Sequence, residues 1–246
     1  MTEFLPISSS GHLELGKHFL NVDARESLSF TVVVHGATVM STIVVFWREI
    51  IYILRDLVKF RWNDGTRYTA KILISMVPVL IVGIFLRKQV EYLYSGNIRF
   101  VGSMLLITSV LLSIAFFTKA RKKNIPFSNA FIMGIAQAFA VIPGISRSGA
   151  TIATGLMLYN GKDQVTRFSF LMVILPIIGA NMMDLVTSEH VHSAEVGAVQ
   201  LIIGFIAAFA FGLMACRWMI HIVGRGKLIY FALYCLIVGL FAVIAG

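Results

Sequence analysis

The chain has 246 residues, 58% of them hydrophobic and only 13% charged, with a net charge of +9. Soluble domains are nearer about 45–50% apolar and about 25% charged, so this composition excludes a water-soluble globule, a disordered chain and a disulfide scaffold. It points to a polytopic all-α membrane protein embedded in a lipid bilayer, in which Lys and Arg collect in cytoplasmic loops, and no nucleic-acid-binding pattern is present.

The chain opens with MTEFLPISSSGHLELGKHFL. A proline, a serine-rich turn and a glycine precede a helix-like stretch, and the cationic start of a secretory signal is missing. The charge-free run Ser27–Trp47 follows, long enough for the ~20 residues that cross a bilayer. The segment from Arg48 to Lys71 is amphipathic and basic, and is expected on the inner leaflet surface. Ile72–Leu86 is a short span that Lys71, Arg87 and Lys88 can extend by snorkelling. Phe100–Thr118 is a third span.

Between Lys123 and Lys162 the one charged residue is Arg147, in a centre reading AVIPGISRSGAT. Pro143 and Gly144 break a helix there, and a break at membrane depth survives only when buried in protein or lining a cavity. The expected form is a re-entrant hairpin, with a helix near Ser128–Ile142, a loop over Pro143–Gly149 and a second helix to Leu158. Three further spans are Phe168–Met183, Val196–Cys216 and Leu228–Gly246. Cys216 and Cys235 lie in apolar runs and read as small buried hydrophobes. His190 and His192, with no third ligand, are poor evidence for a metal.

The two loops match each other. PISSSG at Pro6–Gly11 aligns with GISRSG at Gly144–Gly149, so that Ser8 faces Ser146, Ser9 faces Arg147 and Ser10 faces Ser148. Each loop precedes three spans, and an odd number forces the halves into opposite orientations. The expected organisation is one integral membrane domain, an inverted repeat of 1–118 and 119–246 with six spans and two re-entrant hairpins meeting near the midplane. The first hairpin is expected to be incomplete, truncated at the N-terminus. If it opens outward, 15 Lys and Arg lie inside and five outside, with Arg147 apart. Both chain ends then lie outside.

Arg147 is costly in an apolar setting and functional by default. Its fork fits phosphate oxygens, and Gly149 and the helix N-termini at the loop ends bring backbone N–H groups and dipoles to an anion. Ser146, Ser148 and Thr151 stand beside it, with Ser8 and Ser10 opposite, as further phosphate-binding candidates; Thr151 and Thr154 also suit ordinary interhelical hydrogen bonds. The bland alternative is an arginine paired with Glu3 or Asp184. Glu3, Ser9 and His12 suit nucleophilic or acid–base work on a phosphate. Alone, three serines mark a turn and one histidine a core residue; the match to the Arg147 loop argues for chemistry. His35 could line the cavity or pack a helix.

TEFLPISSSGHL at Thr2–Leu13 and PGISRSGAT at Pro143–Thr151 resemble the two signature motifs of the bacterial undecaprenyl-diphosphate phosphatase family, also called the bacitracin-resistance family. RFSFLMVILP at Arg167–Pro176 resembles a further family segment. The resemblance implies hydrolysis of undecaprenyl diphosphate to the monophosphate, recycling the cell-wall carrier lipid in the bacterial inner membrane and conferring bacitracin resistance. It implies a divalent cation, Mg²⁺ or Ca²⁺, with Glu3 as the ligand. It gives Ser9 the place of the proposed nucleophile, with His12 as the motif histidine and Arg147 as the phosphate binder. The family carries another Glu or Gln four residues before the position of Glu3; Gln137 is its counterpart in the other repeat. Attack by Ser9 or by a water that Glu3 activates stays open, as does pairing into a homodimer. A rival phosphatase class with a Ser-Gly-His motif needs a distant His-x-x-x-Asp, which is missing. A lipid-phosphate flippase or anion carrier would use the same inverted repeat, but would need no nucleophile.

Overall fold

The computed structural model describes residues 2–20, 28–93, 96–119, 124–187 and 197–246. Within them every regular element is an α-helix: α1 (Ser9–Leu20), α2 (Leu28–Val45), α3 (Trp47–Val58), α4 (Asp64–Phe85), α5 (Arg87–Leu93), α6 (Ile98–Phe117), α7 (Phe127–Phe139), α8 (Arg147–Met157), α9 (Lys162–Thr187), α10 (Ala198–Gly224) and α11 (Ile229–Ala245). His190 and His192 lie outside the described residues, as does the side chain of Asp184.

Many large apolar side chains lie on the surface. Leu80, Ile84 and Phe85 of α4, Ile202 and Ile206 of α10, and Ile237 and Ile244 of α11 are all exposed, an arrangement that suits hydrocarbon as the solvent. Among the described residues α4, α6 and α10 are long and apolar enough to cross a membrane. The stretch Val33–Val45 passes the same test only when taken with α3, from which it is bent by 78°, the form of a broken span or of a helix that turns aside. α11 has 17 residues, and the apolar run Phe168–Met183 lies inside the longer α9. The chain is thus a polytopic all-α membrane protein.

Helix ends differ from the apolar runs because a run records only where charge is absent. α4 begins eight residues before Ile72, at a start signal in a polar stretch: the Asn63 side chain accepts the Thr66 N–H, a capping bond. The 22 residues of α4 need no snorkelling to reach across. α10 likewise continues past Arg217 to Gly224.

Small residues allow the closest helix contacts, as membrane packing requires. α6 and α11 meet at Gly102 and Gly239; a Cβ on Gly102 would lie 2.9 Å from the Gly239 carbonyl oxygen, and one on Gly239 3.0 Å from that of Gly102. The buried face of α6 repeats at helical spacing through Val101, Leu105, Thr108, Leu112 and Ala115. α7 lies against α4 with Gly134 on the Ser75 carbonyl, where no side chain fits.

The basic segment folds as a corner. α3 is tied to α9 by the ion pair of Glu49 with Arg167. Asp56, buried at 5% exposure, joins α3 to α4: its carboxylate accepts the Gly65 N–H at 3.2 Å and Lys59 Nζ at 2.6 Å, and its carbonyl accepts from Asn63. The Lys59 ammonium, with the Gly65 N–H, holds the Asp56 carboxyl below the usual carboxylate range against the upward push of its burial. A depressed carboxyl stabilises the fold above the unfolded-state value and ceases to do so as pH falls through the folded one. Asp56→Asn should therefore melt below the parent at neutral pH, and thermal unfolding in detergent should show that gap closing as pH drops through the acid range. A gap independent of pH would mean that the charge of Asp56 contributes nothing to the corner.

Candidate functional site

The two matching loops end in the same capping device. Ser146 precedes α8 and its Oγ accepts the Gly149 N–H at 3.1 Å. Ser8 precedes α1 and its Oγ accepts the Gly11 N–H at 3.2 Å. Each capping oxygen also lies 3.4 Å from the serine two residues on, Ser148 and Ser10 respectively. Serine three residues before glycine therefore starts a helix in both places. Arg147 and Ser9 become the first residues of their helices, whereas the sequence put Arg147 inside the loop. Two helix N-termini, each with partial positive charge, thus open at the two residues that the internal alignment pairs.

The loops touch directly. Ser148 Oγ donates to the Leu5 carbonyl at 3.2 Å. A Cβ on Gly11 would meet Gly144 Cα at 3.0 Å, and one on Gly149 would meet Pro6 at 3.3 Å. Gly144 has φ +95°, and a Cβ there would strike the Val101 carbonyl at 2.5 Å, so that position admits only glycine. Each loop rests on a helix from the other half of the chain. Thr108 of α6 donates to the Gly144 carbonyl and accepts the Ser146 N–H, both at 3.1 Å. On the other side Cys235 Sγ of α11 approaches the Pro6 carbonyl at 3.7 Å. Cys216 and Cys235 are buried free thiols.

At the crossing, Ser9 Oγ donates to Glu3 Oε2 at 2.5 Å, and Arg147 Nη2 donates to Glu3 Oε1. One carboxylate thus joins a hydroxyl from the first loop to the guanidinium of the second. The pairing of Arg147 with Glu3, weighed above as an alternative to phosphate binding, exists within the same cluster as Ser9. A guanidinium has five N–H donors, so the bond to Glu3 leaves others for an anion.

A pocket continues from Glu3 and Arg147 between α2 and α9, lined by Thr38, Thr42, Ser148, Thr151 and Ser169, with Phe170, Val173 and Ile177 at its apolar end. Thr151 donates to the Arg147 carbonyl at 2.9 Å and lies 2.5 Å from Ser169 Oγ. Thr151 Oγ1 also reaches the Ser148 carbonyl at 3.3 Å, so its hydroxyl joins the first turn of α8 to Ser169 of α9. His35 is not among the lining residues; Thr38 and Thr42 represent α2 there. His12 is held elsewhere: its Nδ1 is 2.8 Å from the Ser8 carbonyl oxygen and its Nε2 2.8 Å from the Tyr234 hydroxyl.

Sequence reading passed over Thr38, Thr42, Thr108, Ser169 and Tyr234. Hydroxyls spaced four apart at Thr38 and Thr42, and Ser169 inside the segment Arg167–Pro176, were signals available to it. Nothing local marks Thr108 or Tyr234, whose roles come from the packing of α6 and α11. Among the described residues no three His, Cys, Asp or Glu side chains gather as a metal cluster. Gln137 is buried with neither side-chain polar atom hydrogen-bonded within the described residues.

Known proteins are similar to this chain along nearly its whole length. The family model for the bacitracin resistance protein BacA matches residues 1–241. An undecaprenyl-diphosphatase of Bacteroides fragilis is 50% identical over 248 residues, covering 99% of this chain and 93% of that protein. One from Christiangramia forsetii is 52% identical, with 99% and 93% covered. A more distant one from Halothermothrix orenii is 36% identical over the same shares.

Proposed function

The chain belongs to the bacitracin resistance protein BacA family, and from that premise we propose that it hydrolyses undecaprenyl diphosphate to undecaprenyl phosphate and inorganic phosphate, with Ser9, Glu3 and Arg147 as the reacting and binding groups. It is a membrane hydrolase of cell-wall carrier lipid, and bacitracin resistance follows from the family name. The observation that carries the assignment of residues is the Ser9–Glu3–Arg147 chain of hydrogen bonds at two helix N-termini. A hydroxyl on a carboxylate is a nucleophile with its base in reach. A guanidinium and two helix dipoles suit the charge that grows on phosphate oxygens. An anion carrier has use for the guanidinium and the dipoles but not for the hydroxyl on its base.

In the proposed reaction the terminal phosphate takes the free donors of Arg147 and loosens its bond to Glu3. Ser9 Oγ attacks phosphorus as its proton passes to Glu3 Oε2; the bond to the bridging oxygen breaks, and Glu3 gives that proton to the departing undecaprenyl phosphate. Water then attacks the phosphoserine, the freed Glu3 carboxylate taking its proton and returning it to Ser9 Oγ as inorganic phosphate leaves. His12 does not face Ser9, so Glu3 rather than His12 handles the proton. The isoprenoid chain runs along Phe170, Val173 and Ile177. For a divalent cation, Glu3 is the ligand at hand; one carboxylate with substrate oxygens suits Mg²⁺, which keeps several waters. Such a cation would offset charge on the diphosphate.

Phosphate release from lipid diphosphate by the purified protein in detergent, where no second compartment exists, tests the reading. A flippase or carrier would release none. The site is proposed to open to the outer face of the bacterial inner membrane. In intact cells an impermeant thiol reagent should then label a cysteine at Ser193 and spare one at Asn63; the reverse pattern overturns that orientation.

A further inference from the structure

The proposed reaction leaves His12 of the first motif without a chemical task, and its surroundings supply another one. A carbonyl oxygen only accepts hydrogen bonds, so the 2.8 Å contact of Nδ1 with the Ser8 carbonyl puts the ring proton on Nδ1. In the neutral ring Nε2 is then bare and accepts the Tyr234 O–H at 2.8 Å. The two rings lie nearly parallel, 10° apart with centroids at 5.5 Å. Every polar atom of the imidazole is thus engaged, and neither nitrogen is directed at Ser9.

Ser8 is the residue that this clamp holds. Its φ is +64°, a strained conformation for a residue with a side chain, which persists only where surrounding contacts impose it. Its Oγ accepts the Gly11 N–H, and its carbonyl accepts both the backbone N–H of His12 at 3.2 Å and the ring N–H. The turn at Ser8 sets where Ser9 begins its helix, and hence where Ser9 Oγ lies relative to Glu3. Tyr234 is itself on a fixed support. Its neighbour Cys235 lies against the Pro6 carbonyl, and Ser109 of α6 donates to the Ala232 carbonyl at 2.6 Å.

We propose that Tyr234 is a positioning residue of the lipid-diphosphate site: through His12 it locks the left-handed turn at Ser8 that presents Ser9 to Glu3. The inference rests on the reading of Ser9 as nucleophile. Its path runs from the Tyr234 hydroxyl through the His12 ring to the Ser8 carbonyl, and it ends at Ser9 Oγ without Tyr234 touching substrate.

The test uses the full chain in detergent with ¹⁵N-labelled histidine, the His12 signals being assigned by their loss in His12→Gln. Tyr234→Phe keeps the stacked ring and removes one hydrogen bond. It should move the His12 Nε2 signal while Nδ1 stays protonated, and should lower kcat about tenfold with KM nearly unchanged. Added to His12→Gln it should cost nothing more, because both substitutions break one path. An unmoved Nε2 signal, an unchanged kcat, or losses that multiply independently would each overturn the proposal. The spectrum reports on the clamp whether or not the protein turns over, whereas turnover retained by Ser9→Ala would refute the nucleophile reading alone.

Discussion

Arg147→Lys is expected to lower phosphate release by about 10²–10³-fold, the effect of removing one well-aimed donor from a developing oxyanion, while the melting temperature in detergent stays close to that of the parent. The substitution keeps the positive charge at the start of α8 and keeps a partner for Glu3, so the loop crossing retains its ion pair. What it removes is the planar fork. A guanidinium can hold Glu3 with one N–H and still present a pair of parallel donors to a phosphate, whereas an ammonium is a point charge that must divide itself between the two anions. Lysine is therefore the informative replacement. Arg147→Ala would leave Glu3 without its cation in a partly buried site and would mix lost stability with lost chemistry. Near-parental hydrolysis by Arg147→Lys would show that charge alone suffices, and that the phosphate clamp assigned to Arg147 is wrong.

The crossing of the loops was legible in the sequence because its information is local. Pro143 and Gly144 interrupt an apolar stretch that holds one charge, Arg147, and the spacing of Ser146 to Gly149 repeats in Ser8 to Gly11. Both are the spacing of a serine cap to the third N–H of a helix, so the repeat was visible as letters before it was visible as two identical bonds. Helix lengths were less legible. The charge-free run Ile72–Leu86 hid the start of α4 at Asp64 behind Lys71 and Arg67, since charge count ignores capping. Six crossings were expected, and among the described residues three helices, or four with the bent pair, pass on length and composition.

Orientation of side chains within the site was not legible at all. His12 follows Ser9 at the spacing of one helical turn, and sequence had no means to say whether its ring faces Glu3 or turns away. The answer depends on Tyr234, 222 residues distant, and on the close approach of α6 to α11 at two glycines. Thr151 shows the same limit: sequence offers it as a phosphate-binding candidate or an interhelical hydrogen bonder, and its hydroxyl lies 2.9 Å from the Arg147 carbonyl and 2.5 Å from Ser169 Oγ of α9.

Ser9→Ala is expected to lose turnover by on the order of 10⁴-fold or more while still binding a non-hydrolysable lipid diphosphate, because the attacking oxygen is gone and the clamp is not. Glu3→Gln should fall less, by ~10²–10⁴-fold, the range for a general base, since its amide keeps the bond to Ser9 Oγ but cannot take the proton. Ser8→Ala and Ser10→Ala make a useful contrast. Ser8 caps α1, so its loss should lower stability by about 1 kcal/mol with a modest change in kcat, and Ser10, whose hydroxyl lies 3.4 Å from that of Ser8, should change little. The order reverses if water is the nucleophile. Glu3 would then activate that water, Glu3→Gln would be the most severe lesion, and Ser9→Ala would keep measurable turnover through the space its hydroxyl leaves. A phosphorylated Ser9 trapped by acid quench from the parent, and absent from Ser9→Ala, would decide for the covalent route; rapid turnover by Ser9→Ala with no trapped species would reduce Ser9 to a part of the turn.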